Sequence, residues 1–84
     1  MTEFRIADTF TASLTRLSGQ EQKAAKITAL DLQLDPTGKG LSFHRIHHAN
    51  APHFWSVRVN RDLRLIVHRM AGSLMLVWVD HHDD

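Results

Sequence analysis

Cysteine and tyrosine are both missing from this 84-residue chain. Without cysteine there is no disulfide framework and no thiolate metal site, so the fold must be stabilised by packing alone. Only two prolines and four glycines are present, and no apolar run approaches the roughly 20 residues that a bilayer requires. The opening MTEFRIADTF carries Glu3 and Asp8 and lacks the basic-then-apolar layout of a signal peptide, so cytoplasmic residence is the expectation. An apolar fraction of 43% with 23% charged residues is the composition of a folded domain rather than a disordered chain. Eighty-four residues suffice for one domain with a single core.

Net charge is only +1, but it is unevenly spread. Residues 1–36 are slightly acidic. Residues 37–79 carry Lys39, Arg45, Arg58, Arg61, Arg64 and Arg69 against Asp62 alone, together with five of the seven histidines. Asp80, Asp83 and Asp84 then close the chain with negative charge. Clustered arginine is the electrostatic footprint of a nucleic-acid or acidic-protein surface, and it is equally compatible with a solvated sheet face.

Periodicity divides the chain in two. Glu3 to Ala7 alternates and predicts a short strand. Asp8 or Thr9 is a candidate cap for a helix to about Leu17, with Phe10, Leu14 and Leu17 on one face. After Ser18-Gly19 a second helix is expected from about Gln20 to Leu34, burying Ala24, Ile27, Leu30 and Leu34 and ending at Asp35-Pro36. A Gly-containing loop follows, then a weakly alternating stretch over residues 41–48 whose facing is undecided. Three apolar-rich runs, Phe54–Val59, Leu63–Val67 and Leu74–Val79, are separated by Asn60-Arg61-Asp62 and by residues 69–73, which predicts an antiparallel meander. The whole is an α+β fold: an N-terminal strand, an αα-hairpin, then a three- to four-stranded, mainly antiparallel sheet.

Alternation within the meander places Val57, Val59, Leu65 and Val67 under the helices, with Arg58, Arg64 and His68 sharing the open face. Guanidiniums grip phosphates bidentately and imidazoles move protons, so that face is the candidate site. Trp55 and Trp78 are expected in the core. His44, His47, His48, His53 and the Asp80–Asp84 tail offer metal-ligand chemistry, but no standard zinc spacing occurs, so neither metal nor cofactor is expected.

The run VRVNRDLRLIVHR, followed by an apolar strand and VDHHDD, resembles the C-terminal half of the RelE/ParE toxin superfamily. More narrowly it resembles the RelE-like domains at the N-termini of UvrD-type helicase-related proteins, in which more protein follows the single domain of residues 1–84. The resemblance implies that Arg64 lies where RelE-type ribonucleases contact the scissile phosphate, and that His81 or His82 completes the site just after the last strand. It also exposes departures. The lysines or glutamate of active relatives have no clear counterpart, tyrosine is absent, and Asp80, Asp83 and Asp84 surround the histidine pair. Those departures favour a non-catalytic module that binds nucleic acid through Lys39, Arg45, Arg58, Arg61, Arg64 and Arg69, or an acidic protein partner. The alternative is a toxin of a toxin–antitoxin system, acting as an mRNA endoribonuclease or as a ParE-like gyrase inhibitor with an antitoxin as partner.

Overall fold

A computed structural model describes residues 2–35, 37, 41, 43–46 and 53–81. The elements are β1 (Glu3–Ile6), α1 (Asp8–Leu14), α2 (Gly19–Leu34), β2 (Phe43–Arg45), β3 (Phe54–Arg58), β4 (Leu63–Met70) and β5 (Ser73–His81). One five-stranded sheet has the order β1-β5-β4-β3-β2. β1 runs parallel to β5 and every other pairing is antiparallel. The α+β class and the meander follow the sequence reading, and the N-terminal strand joins the sheet as a fifth member.

β4 is the central strand. Its Leu63, Leu65 and Val67 are buried, as are Val57 on β3 and Leu74, Leu76 and Val79 on β5. Phe10, Leu17, Ala25 and Leu32 of the helical layer close this core. β4 extends through Arg69 and Met70, beyond the expected end at Val67, so the turn shrinks to Ala71-Gly72. Gly72 has φ +76°, the left-handed region open to glycine without steric cost, and that permits so tight a reversal.

α1 ends at Leu14 rather than Leu17; residues 15–17 tighten into i→i+3 backbone bonds. Neither Asp8 nor Thr9 caps it, since Ala7 occupies the cap position without a side-chain bond. Thr9 has a different partner. β1 stops at Ile6, which leaves the outer edge of β5 bare from residue 77 onward. There the Thr9 hydroxyl donates to the Val77 carbonyl (2.6 Å), and the Ser13 hydroxyl accepts the Val79 N–H (3.0 Å) while donating to the Phe10 carbonyl (2.7 Å). Two hydroxyls one helical turn apart replace the missing strand and leave these backbone groups satisfied.

α2 starts with a complete capping box: the Ser18 hydroxyl accepts the Glu21 N–H (3.2 Å) and the Glu21 carboxylate accepts the Ser18 N–H (3.0 Å). The Gln22 amide donates to the Leu14 and Leu17 carbonyls at the end of α1. These bonds fix the rotation of α2, and they overturn the expected stripe. Ala25, Thr28 and Leu32 face the sheet, whereas Ile27, Leu30 and Leu34 are 56%, 55% and 76% exposed and Ala24 is half-buried. Both sets recur at i, i+3, i+7, about 200° apart, so periodicity alone does not choose between them. The small Ala25 and Thr28 allow close approach to the sheet.

Candidate functional site

Residues directly opposite on antiparallel strands share a face, so the strand register defines the open surface. One row crosses it as Arg58, Arg64 and Asp80; the next as His44, Ser56, Ile66 and Trp78; the third as Phe54, His68 and Met75. Arg58, Arg64 and His68 are therefore brought together on this face, as the alternation predicted.

Asn60 organises the arginine end. Its side-chain oxygen accepts the N–H groups of Asp62 (2.9 Å) and Leu63 (3.0 Å), which closes the β3–β4 turn. The Arg64 guanidinium donates to the Asn60 carbonyl (2.7 Å) and the Leu63 carbonyl (3.0 Å), so it is anchored over that turn. Arg61 sits exposed in the turn and Arg58 exposed on the neighbouring strand. Among the described residues none of these three arginines forms an ion pair. Asp80, although opposite Arg64, spends its carboxylate on the His81 N–H (2.8 Å) and, at 3.5 Å, on the Trp78 indole N–H. Three cations with no counter-ion among the described residues give this end of the face a positive potential.

Other expected site residues lie elsewhere. His81 is opposite Leu63, on the helix-facing side, and its Nε2 is 2.6 Å from a Glu21 carboxylate oxygen. Arg45 is opposite Trp55, which packs against the core, so it belongs to that same side. Arg69 likewise faces away from Arg64, with its guanidinium 4.8 Å from the Phe43 ring centre and 5.5 Å from that of Trp55. The proposed arginine set is thus split: Arg58, Arg61 and Arg64 cluster, while Arg45 and Arg69 do not join them. Lys39 and His82 lie outside the described residues, as do His47 and His48. Trp55 packs on the core as expected, but Trp78 does not. It is half-buried on the open face, with the Arg16 guanidinium 5.5 Å from its ring centre.

In the sequence His44 stands out only as a potential metal ligand. Its register beside Ser56 makes it a diagonal neighbour of Arg58, at the roughly 7–8 Å that long side chains bridge. His68, by contrast, is four residues along β4 from Arg64, about 13 Å, too far to share one phosphate with it. The weak alternation of residues 41–48 hid the facing of His44. Among the described residues no group of three His, Asp or Glu is arranged to hold a metal ion, and no helix is long and apolar enough to cross a membrane.

The Glu21–His81 contact ties the end of β5 to the start of α2. The hydrogen bond to Glu21, then that carboxylate's charge, raises the His81 pKa. Glu21 is lowered, first by the Ser18 N–H and then by His81. A raised imidazole stabilises the fold fully below its ordinary value of 6.5, and the gain is lost as pH climbs through the raised value. A lowered carboxylate contributes above 4.5 and loses that contribution as pH falls through the lowered value. Both contributions are present between those limits. The melting temperature should fall slightly from about pH 6 to about pH 8.5, and His81→Gln should abolish that difference. A slope unchanged in the variant would refute the linkage.

On the helical side, Phe4, Ile6, Phe10, Leu14, Leu30 and Leu76 line an open cleft of about 250 Å³ between β1 and the two helices. Exposed Ile27 and Leu34 extend the apolar surface along α2.

No family model matches the sequence, and no curated protein matches it significantly. Solved structures do. The toxin–antitoxin complex RelBE2 of Mycobacterium tuberculosis aligns over 99% of this chain and 93% of its own, with TM-score 0.77 at 20% identity. The fold is that of the RelE/ParE toxins. A RelB–RelE antitoxin–toxin complex from Methanococcus jannaschii covers 92% of this chain and 88% of its own at TM-score 0.73 and 17% identity. The YoeB/ParE toxin of Agrobacterium tumefaciens covers 98% and 100%, at TM-score 0.65 and 12% identity. At such identities the RelE/ParE likeness is one of architecture, and the chemistry has to be argued from the residues.

Proposed function

We propose that this chain is the toxin of a toxin–antitoxin pair, directed at RNA held on the open sheet face, and that it acts as an endoribonuclease. The observation that carries this reading is the cross-strand pair Arg58–Arg64 with His44 diagonal to Arg58. Cleavage through the 2′-hydroxyl needs a cation for the developing phosphorane charge and a group that moves a proton. Arg58, with Arg64 opposite it at the turn, supplies the first; His44, diagonal to Arg58, is the group assigned the second. The RelE/ParE structures similar to this one include antitoxin complexes, which supports this toxin reading over the helicase-associated binding module. It also gives the apolar cleft an occupant: an amphipathic segment of the antitoxin, covering Ile6, Leu30 and the exposed stripe of α2.

The test is induced expression in a bacterial host without a matching antitoxin, scored for growth arrest and by mapping of mRNA 5′ ends. The native chain should arrest growth and generate discrete cuts. Arg64→Ala and His44→Ala should each lower the cleavage rate by about 10²-fold or more. Arrest without cuts would transfer the reading to the gyrase-inhibitor alternative, and an absence of arrest would return it to the binding module.

A further inference from the structure

Trp78 stands half-buried on the open face of the sheet, outside the buried core. It lies opposite Ile66 and is therefore diagonal to Arg64, at roughly 7–8 Å. A single nucleotide spans that distance between its phosphate and its base. Two contacts orient the indole. Its N–H points to the Asp80 carboxylate at 3.5 Å, and the Arg16 guanidinium lies over its ring, 5.5 Å from the centre. Arg16 is exposed and reaches the ring from the tightened turn after α1, with no ion pair among the described residues. A planar, delocalised group arriving from solvent thus already occupies the ring face.

We propose that Trp78 is a base-stacking subsite for single-stranded RNA, taking the base of a nucleotide whose phosphate meets the Arg58–Arg64 pair. The subsite rests on the reading of the open face as an RNA surface and gives that surface a second kind of contact. Charge decides the occupant. Arg58, Arg61 and Arg64 stand at this end of the face against Asp62 and Asp80, so a polyanion carrying flat apolar rings matches both the cations and the indole. A base stacks on the ring more strongly than an exposed cation does, because broad apolar contact adds to the electrostatic attraction, so it displaces Arg16. Every base presents a π-face, but paired bases are already stacked within their duplex. The subsite therefore selects unpaired strands rather than a sequence.

The test is an NMR titration of the full chain with a 2′-O-methyl hexanucleotide, whose blocked 2′-hydroxyls rule out cleavage. The indole N–H signal of Trp78 should shift saturably, while that of Trp55, packed on the core, should not. A hairpin duplex of equal charge should leave the Trp78 signal in place. Trp78→Leu should weaken binding of the hexanucleotide about tenfold, and Trp78→Phe, which keeps a ring, severalfold at most. An abasic strand with the same phosphates separates stacking from any loss of fold. It should bind the native chain about tenfold more weakly than the base-bearing strand does, and Trp78→Leu no more weakly than the native chain. Equal affinity of the two strands for the native chain would overturn the subsite and leave the RNA surface standing. So would an unmoved Trp78 signal alongside shifts at the Arg58 and Arg64 amides. No shift at any of these groups would overturn both.

Discussion

Truncating Leu65 to alanine should destabilise the protein by about 2–5 kcal/mol, the range for deleting a buried leucine side chain together with the cavity it leaves. Leu65 is fully buried at the middle of the central strand, opposite Val57 on one side and Val79 on the other. Neighbouring side chains are held by strands on both flanks and by Ala25 and Leu32 above, so the gap has little room to collapse. A domain of this size has of order 5–15 kcal/mol in total, so the loss is a large share and reads directly as a lower urea midpoint. Leu34→Ala is the matched control. Sequence periodicity put Leu34 in the core, yet it is exposed, and its truncation should change stability by less than about 0.5 kcal/mol. Similar costs for the two leucines would contradict the orientation of α2.

The second large effect is electrostatic. Single-stranded RNA should bind through Arg58, Arg61 and Arg64, and three phosphate contacts give a log–log salt slope of about −2. Raising salt from about 50 to 200 mM should then weaken association about 20-fold. Arg64→Ala should reduce the slope by about 0.7, whereas Arg45→Ala, on the other face, should leave it unchanged. A slope equally sensitive to both substitutions would mean that binding is not confined to the turn-end cluster. Fluorescence anisotropy of a labelled oligonucleotide at two ionic strengths provides the measurement.

Much of this architecture is legible in the chain because local signals agree with one another. Val57, Leu65 and Val67 alternate with Arg58, Arg64 and His68, and a charge in a strand has to face outward, so the open face could be read without coordinates. The turn at Asn60 announces itself chemically. The rotation of α2 did not, because Ala25, Thr28 and Leu32 are smaller or more polar than Ile27, Leu30 and Leu34, and hydrophobicity ranks the wrong stripe higher. Gln22 decides the matter through bonds to the end of α1 that no periodicity encodes. The site divides in the same way. Arg58 and Arg64 follow from alternation, but the place of His44 depends on the register between β2 and β3, a long-range property. The place of His81 does not follow from the sequence, because the strand continues through it and pleating turns it toward Glu21 rather than toward Arg64.

The contacts from Thr9 and Ser13 to Val77 and Val79 bear on how this sheet avoids growing. Sheet edges recruit other strands through unpaired N–H and C=O groups, the usual route to intermolecular β-structure and fibrils. Here one side of the rim is closed partly by a short β1 and partly by the side chains of a helix, which a foreign strand cannot extend. At the opposite side β2 is only three residues long. The molecule therefore presents side chains to its surroundings along the far half of β5 and stays closed there to association by strand addition.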